Sequence, residues 1–138
     1  MAETPLRIIL DTNLWISYLI SKKLIKIDLL LEMGKIRLIY SAELLGEFLE
    51  VARRPKFSKF FSEEDVVELM RLISTFAEII EIQSVVDICR DSKDNFLLAL
   101  AKDSKADYLV TGDKDLLEIE EFEGTQILTY ADFEKALE

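Results

Sequence analysis

Apolar residues return along this chain in two rhythms that alternate: short β-branched or aliphatic runs, and longer stretches in which every third or fourth position is apolar. Residues 6–10 (LRIIL) suit a buried strand. The polar triplet Asp11-Thr12-Asn13 ends it, and Leu14, Trp15, Tyr18 and Leu19 follow at helical spacing. Gly34 interrupts the next apolar segment, 36–40 predicts a second strand, and Ser41 is placed to cap a helix carrying Leu44, Leu45, Phe48 and Val51. Pro55 ends or breaks that helix. Ser62 with Asp65 three residues later resembles a capped start for a helix through Val66, Leu69, Ile73 and Phe76. Further strands are predicted at 77–82, 106–110 and 127–130, with helices at 96–105 and 131–137.

Strands recurring among helices imply crossover connections and a mainly parallel sheet covered on both faces. The expectation is therefore a three-layer α/β/α sandwich around a five-stranded central sheet. With 138 residues, half of them hydrophobic, the chain can bury one sizeable core, so a single domain over 1–138 is expected. Residues 56–62 read as a connection between helices that can serve as a flap. No run approaches a membrane span, and the first segment lacks the long apolar region of a signal peptide, so a cytoplasmic location is expected.

Charge narrows the chemistry. Twenty-seven acidic residues against 17 basic ones leave a formal charge of −10, which argues against nucleic-acid binding through bulk charge but leaves a metal-bridged contact open. The chain has no histidine, which removes His-dependent triads and the usual zinc sites. The single cysteine, Cys89, excludes an intrachain disulfide.

The acids gain meaning from their places. Asp11 directly follows the first predicted strand, and Asp113 follows the fourth after Thr111 and Gly112. In a parallel sheet the carboxyl ends of strands are where ligands bind, so two strands deliver acids to one edge. Asp94 opens a helix whose amino end should face that edge; its bland role is an N-cap. Glu47, three after Leu44 and four before Val51, lies on the margin of its helix's apolar stripe and not on the solvent face. Together Asp11, Glu47, Asp94 and Asp113 can form a cluster whose repulsion a divalent cation relieves, and oxygen-only ligation favours Mg²⁺ or Mn²⁺. Asp115 is either a further ligand or the cap of a short helix near Leu116, and Asp91 an outer acid or a turn residue. Arg53, Arg54, Lys56 and Lys59 form the densest basic patch, suited to phosphates flanking a reacting one. A solvated surface patch is the bland alternative.

Four segments, IILDTNLWIS at 8–17, SAELLGEFLEVARRPKF at 41–57, DSKDNFLLALA at 91–101 and ADYLVTGDKDLL at 106–117, in this order and spacing, resemble the PIN-domain family, in particular its small prokaryotic toxin members. The resemblance implies an α/β/α sandwich with a metal-dependent nuclease site, in which Asp11, Glu47, Asp94 and Asp113 match the family's acids and Asp115 its additional one. Asn13 and Thr111 match polar residues that accompany them. It further implies a Mg²⁺- or Mn²⁺-dependent endoribonuclease with Asp11, Asp94, Asp113 and Asp115 toward the metal, and with a small antitoxin partner and a homodimer. Glu47 would orient or deprotonate water, or ligate. The alternatives are an RNA-processing nuclease outside a toxin–antitoxin pair and a noncatalytic interaction protein. A metal-dependent phosphatase is less suited, because residue 13 is Asn and no DxD begins at Asp11.

Overall fold

In the computed structural model, which describes residues 4–21, 31–88 and 92–137, strand pairing follows from alternation on the central strands. β1 (Leu6–Leu10) lies between β2 (Ile36–Tyr40) and β4 (Tyr108–Val110), parallel to both, with Ile9 opposite Ile39 on one side and Leu109 on the other. Because successive side chains point to opposite faces, these three form one buried cluster, while Ile8, Leu10, Leu38 and Val110 belong to a second on the other face. Outward from this centre lie β3 (Ala77–Ile79) beside β2 and β6 (Thr125–Leu128) beside β4, again parallel. The order is β3-β2-β1-β4-β6-β5, with five parallel strands as expected. A sixth, β5 (Glu121–Phe122), adds two residues antiparallel to β6.

Each face is covered. On one lie α1 (Thr12–Ser21), α2 (Ala42–Ala52), α4 (Glu63–Phe76) and α7 (Tyr130–Ala136), which contribute Trp15, Phe48, Ile73 and Phe133 to the cluster around Ile8 and Leu38. The other is covered by α5 (Ser92–Ser104) and α6 (Lys114–Leu117), through Leu97, Leu98, Leu100 and Leu116. Ser41 caps α2 by accepting from the Leu44 N–H, and Ser62 with Asp65 forms a reciprocal capping box on α4. Residues 56–62 carry local structure of their own. Pro55–Ser58 is a short helix, α3, and Phe57 and Phe61 pack against the core while Phe60 stays 54% exposed. Among the described residues no helix is long and apolar enough to cross a membrane.

Three strands differ in extent from the expectation, the fourth by starting at Tyr108 and not at 106. The last strand begins at Thr125 and ends at Leu128, because Thr129 leaves the ladder to cap α7, accepting from the Asp132 N–H. The third strand stops at Ile79, and the following segment is held by α5 instead. The Asp103 carboxylate accepts from the N–H groups of Gln83 (2.7 Å) and Ser84 (2.8 Å) and from the Ser84 hydroxyl, and Asn95 Oδ1 accepts from the Ile88 N–H at 3.2 Å.

Those donors, the Ser84 side chain first, hold the Asp103 carboxyl below its ordinary range. A depressed carboxyl stabilises the fold above its unfolded pKa of about 4, and the contribution is lost as pH falls through the lower folded value. Asp103→Ala is expected to cost about 1 kcal/mol at neutral pH, below the usual range for charged hydrogen bonds because the site is solvated. Urea midpoints of wild type and variant should converge on acidification; a gap that stays constant down to pH of about 2 would contradict this role.

Candidate active site

The chain runs from β1 outward through β2 to β3, then returns to β4 on the other side of β1. The connections therefore diverge between β1 and β4, and a crevice opens at their carboxyl ends. Asp11 and the Thr111-Gly112-Asp113 turn both stand at that point, and the Asp11 N–H donates to the Val110 carbonyl at 3.0 Å.

A chain of hydrogen bonds fixes the acids there. The Asp113 N–H donates to Thr111 Oγ1 (3.0 Å), whose hydroxyl donates to Asp11 Oδ2 (2.7 Å), and the Thr12 N–H donates to Asp11 Oδ1 (2.6 Å). Asp113 Oδ1 in turn accepts from the Asp115 N–H at 2.8 Å, so Asp113, not Asp115, caps α6. Burial pushes the Asp11 carboxyl above the ordinary range; the bonds from Thr111 and Thr12 pull it back, and the nearby Asp113 carboxylate pushes it up again. Negative charge is costly at this site, and a cation would lower that cost.

Asp94, buried in the first turn of α5, arrives from a third direction. Carboxylate oxygens of Asp94, Asp113 and Asp115 lie within 4.8 Å of one another. Asp11 stands beside this group without entering it, each of its oxygens accepting one hydrogen bond and keeping lone pairs for a further ligand. The donor set is oxygen throughout, with neither imidazole nor thiolate, and so fits a hard divalent cation.

A cavity of about 300 Å³ joins these residues: Asp11, Thr12, Asn13, Glu47, Asp94 and Asp113 line it together with Val51, Arg54, Lys56 and Phe57. Glu47 is half-buried and Asn13 exposed. Arg54 is mostly exposed and lies 3.8 Å from Glu50. Although it follows Glu47 by seven residues, it does not lie on the same helix. α2 ends at Ala52, and Arg54 is the extended residue before Pro55, which opens α3 where a missing N–H costs nothing. The same turn separates Arg53, which lines a different cavity of about 410 Å³ with Leu49, Phe61 and Val66. The structure thus brings Arg54 and Lys56 to the acids and leaves Arg53 apart. Asp91 lies outside the described residues.

Thr12 was not singled out from the sequence, although a polar residue at the first position of a helix, directly after a buried strand, is a signal for such a place. It is 3% exposed and lines the cavity.

The sequence model of the PIN domain matches residues 7–115. The uncharacterized protein MJ1680 of Methanocaldococcus jannaschii is 32% identical over 123 residues, covering 86% of this chain and 78% of that protein. Among solved structures, VapBC2 from Rickettsia felis, bound to a DNA fragment from their promoter, matches with a TM-score of 0.60 over 88% of this chain and 98% of that one, at 17% identity. At that identity the likeness is one of fold.

Proposed function

The chain belongs to the PIN-domain family, and from that premise we propose that it is a metal-dependent endoribonuclease, the toxin of a toxin–antitoxin pair. The observation that carries the reading is the convergence of carboxylates from Asp94, Asp113 and Asp115 at the edge where Asp11 also ends its strand. Asp94, Asp113 and Asp115, with Asp11 beside them, would hold Mg²⁺ or Mn²⁺, which when bound supplies Lewis acidity toward a phosphodiester and its leaving oxygen. Thr111 holds the Asp11 carboxylate in place, and Glu47, in the same cavity, is suited to orient or deprotonate the attacking water. Attack by water on phosphorus with departure of the 3′-oxygen, which takes up a proton, leaves a 3′-hydroxyl and a 5′-phosphate. A cytoplasmic location, a homodimer and a small antitoxin partner complete the proposal.

The test is to incubate partner-free protein with single-stranded and structured RNAs, and with DNAs of the same sequences, in Mg²⁺ and in chelator. Cleavage of RNA in Mg²⁺ alone is expected; an inert wild type across the panel would shift the reading to a noncatalytic interaction protein.

Arg54 and Lys56 bear on substrate binding because they are the cations of a cavity whose other charged lining residues are acids. Arg54→Ala, introduced into an Asp113→Asn background so that RNA stays intact, should weaken RNA binding about three- to tenfold. It should also make the slope of log K against log salt shallower by roughly 0.7, the value for one phosphate contact to a single strand. Fluorescence anisotropy at several salt concentrations reads both. An unchanged slope would remove Arg54 from the phosphate-binding role.

A further inference from the structure

α1 begins at the cavity floor, and its first-turn donors can be followed one by one. The Thr12 N–H goes to Asp11 Oδ1, and the Leu14 and Trp15 N–H groups go to the Asp11 carbonyl at 2.9 and 3.4 Å. The Asn13 N–H has no such acceptor among the described residues. The first turn of α1 itself carries no acidic residue, and the Asp11 carboxylate that precedes it takes up the Thr12 N–H and leaves the Asn13 N–H free of it.

A second observation comes from a side chain. The Thr12 hydroxyl oxygen is buried, and among the described residues it has no hydrogen-bond partner. A buried hydroxyl without a partner destabilises a fold, and valine would fill the same volume without that cost. The hydroxyl is explained if a ligand entering the cavity completes its bonding. The polar groups around it are of two kinds: acids suited to a cation, and donors, namely the neutral Thr12 hydroxyl and Asn13 N–H and the cationic Arg54 and Lys56. The second kind suits an anion, and helix N-termini bind phosphate in this way.

We propose that the amino end of α1 is a phosphate subsite, in which the Thr12 hydroxyl and the Asn13 N–H donate to a nonbridging oxygen of a substrate phosphodiester while Arg54 and Lys56 balance its charge. The inference rests on the nuclease reading for its choice of ligand: the phosphate belongs to the RNA strand. It assigns Thr12 to substrate binding and not to metal binding.

Thr12→Val removes the hydroxyl at nearly constant volume, and Thr12→Ser restores it. In excess Mg²⁺, titrating ¹⁵N-labelled protein with inorganic phosphate should shift the Thr12 and Asn13 amide resonances. Thr12→Val should bind phosphate about tenfold more weakly, Thr12→Ser should stay near wild type, and Mn²⁺ affinity by calorimetry should be the same in all three. With RNA, Thr12→Val should raise KM about tenfold and leave kcat close to wild type. Unshifted Asn13 resonances, equal phosphate affinity in Thr12→Val, or an unchanged KM for RNA would each overturn the subsite. The last, with phosphate still bound at α1, would mean a site for free phosphate and not for the strand. The two readings fail separately: an inert wild type removes the nuclease while the phosphate titration still decides the subsite, and active wild type with unchanged KM in Thr12→Val removes the subsite alone.

Discussion

Mg²⁺ or Mn²⁺ is expected to raise the melting temperature of the wild-type protein, and changing Asp94 and Asp113 together to asparagine is expected to erase that rise. A ligand at about a hundredfold excess over its Kd stabilises the folded state by about 2.7 kcal/mol, which for a chain of this size is on the order of 10 °C. The two residues are chosen because, with Asp115, they form the set whose oxygens converge, and they come from different elements. In chelator the order should reverse. Neutral amides remove repulsion among neighbouring carboxylates, so the double variant should melt at or above wild type. Calorimetry in metal and in chelator reads both signs, and an equal rise in wild type and variant would place the ion elsewhere.

The second large effect is on turnover. Asp113→Asn should lower RNA cleavage by about three orders of magnitude or more, corresponding to about 4 kcal/mol of lost transition-state stabilisation. The substitution is clean, because asparagine keeps the Oδ1 that accepts from the Asp115 N–H and is itself a good N-cap. Asp11→Asn should be as damaging but less simple, since an amide can accept from only one of the two donors, Thr12 N–H and the Thr111 hydroxyl, that now meet the carboxylate. Thr111→Val keeps every acid but removes both the hydroxyl that donates to Asp11 and the acceptor of the Asp113 N–H, so a smaller loss of about ten- to a hundredfold is expected. Single-turnover kinetics on folded protein separates the three. A Thr111→Val variant as inactive as Asp113→Asn would show that Thr111 does more than position Asp11 and Asp113.

Much of the frame was legible because the central strands are continuous apolar runs ended by polar residues. Leu10 followed by Asp11, and Val110 followed by Thr111-Gly112-Asp113, mark strand ends without any knowledge of pairing. β5 was not legible. It is two residues long, and it forms because the turn through Glu123 and Gly124, both at positive φ, folds the chain back onto β6. The ends of β3 and β6 were set by distant or competing hydrogen bonds, from Asp103 in one case and the Thr129 cap in the other, which a local apolar pattern does not contain.

The candidate site divides in the same way. Acids placed by strand ends and helix starts could be read one at a time, and the structure draws Asp11, Glu47, Asp94 and Asp113 to one cavity. Arg53 and Arg54 are neighbours in sequence yet line different cavities, because Pro55 starts a new helix between the last turn of α2 and the core-packed Phe57. Thr12 stayed hidden since its burial depends on how the β1–α1 junction meets the crevice beside β4, a tertiary fact.

The most direct test of the central claim is to cleave a single-stranded RNA with purified, partner-free protein and determine both the rate and the chemistry of the new ends, in Mg²⁺ or Mn²⁺ and in chelator. Hydrolysis at a carboxylate-held metal with the 3′-oxygen as leaving group predicts ends carrying a 5′-phosphate and a 3′-hydroxyl, formed only with the divalent ion and lost in Asp113→Asn. Cleavage that persists in chelator, or that leaves a 2′,3′-cyclic phosphate, would contradict it.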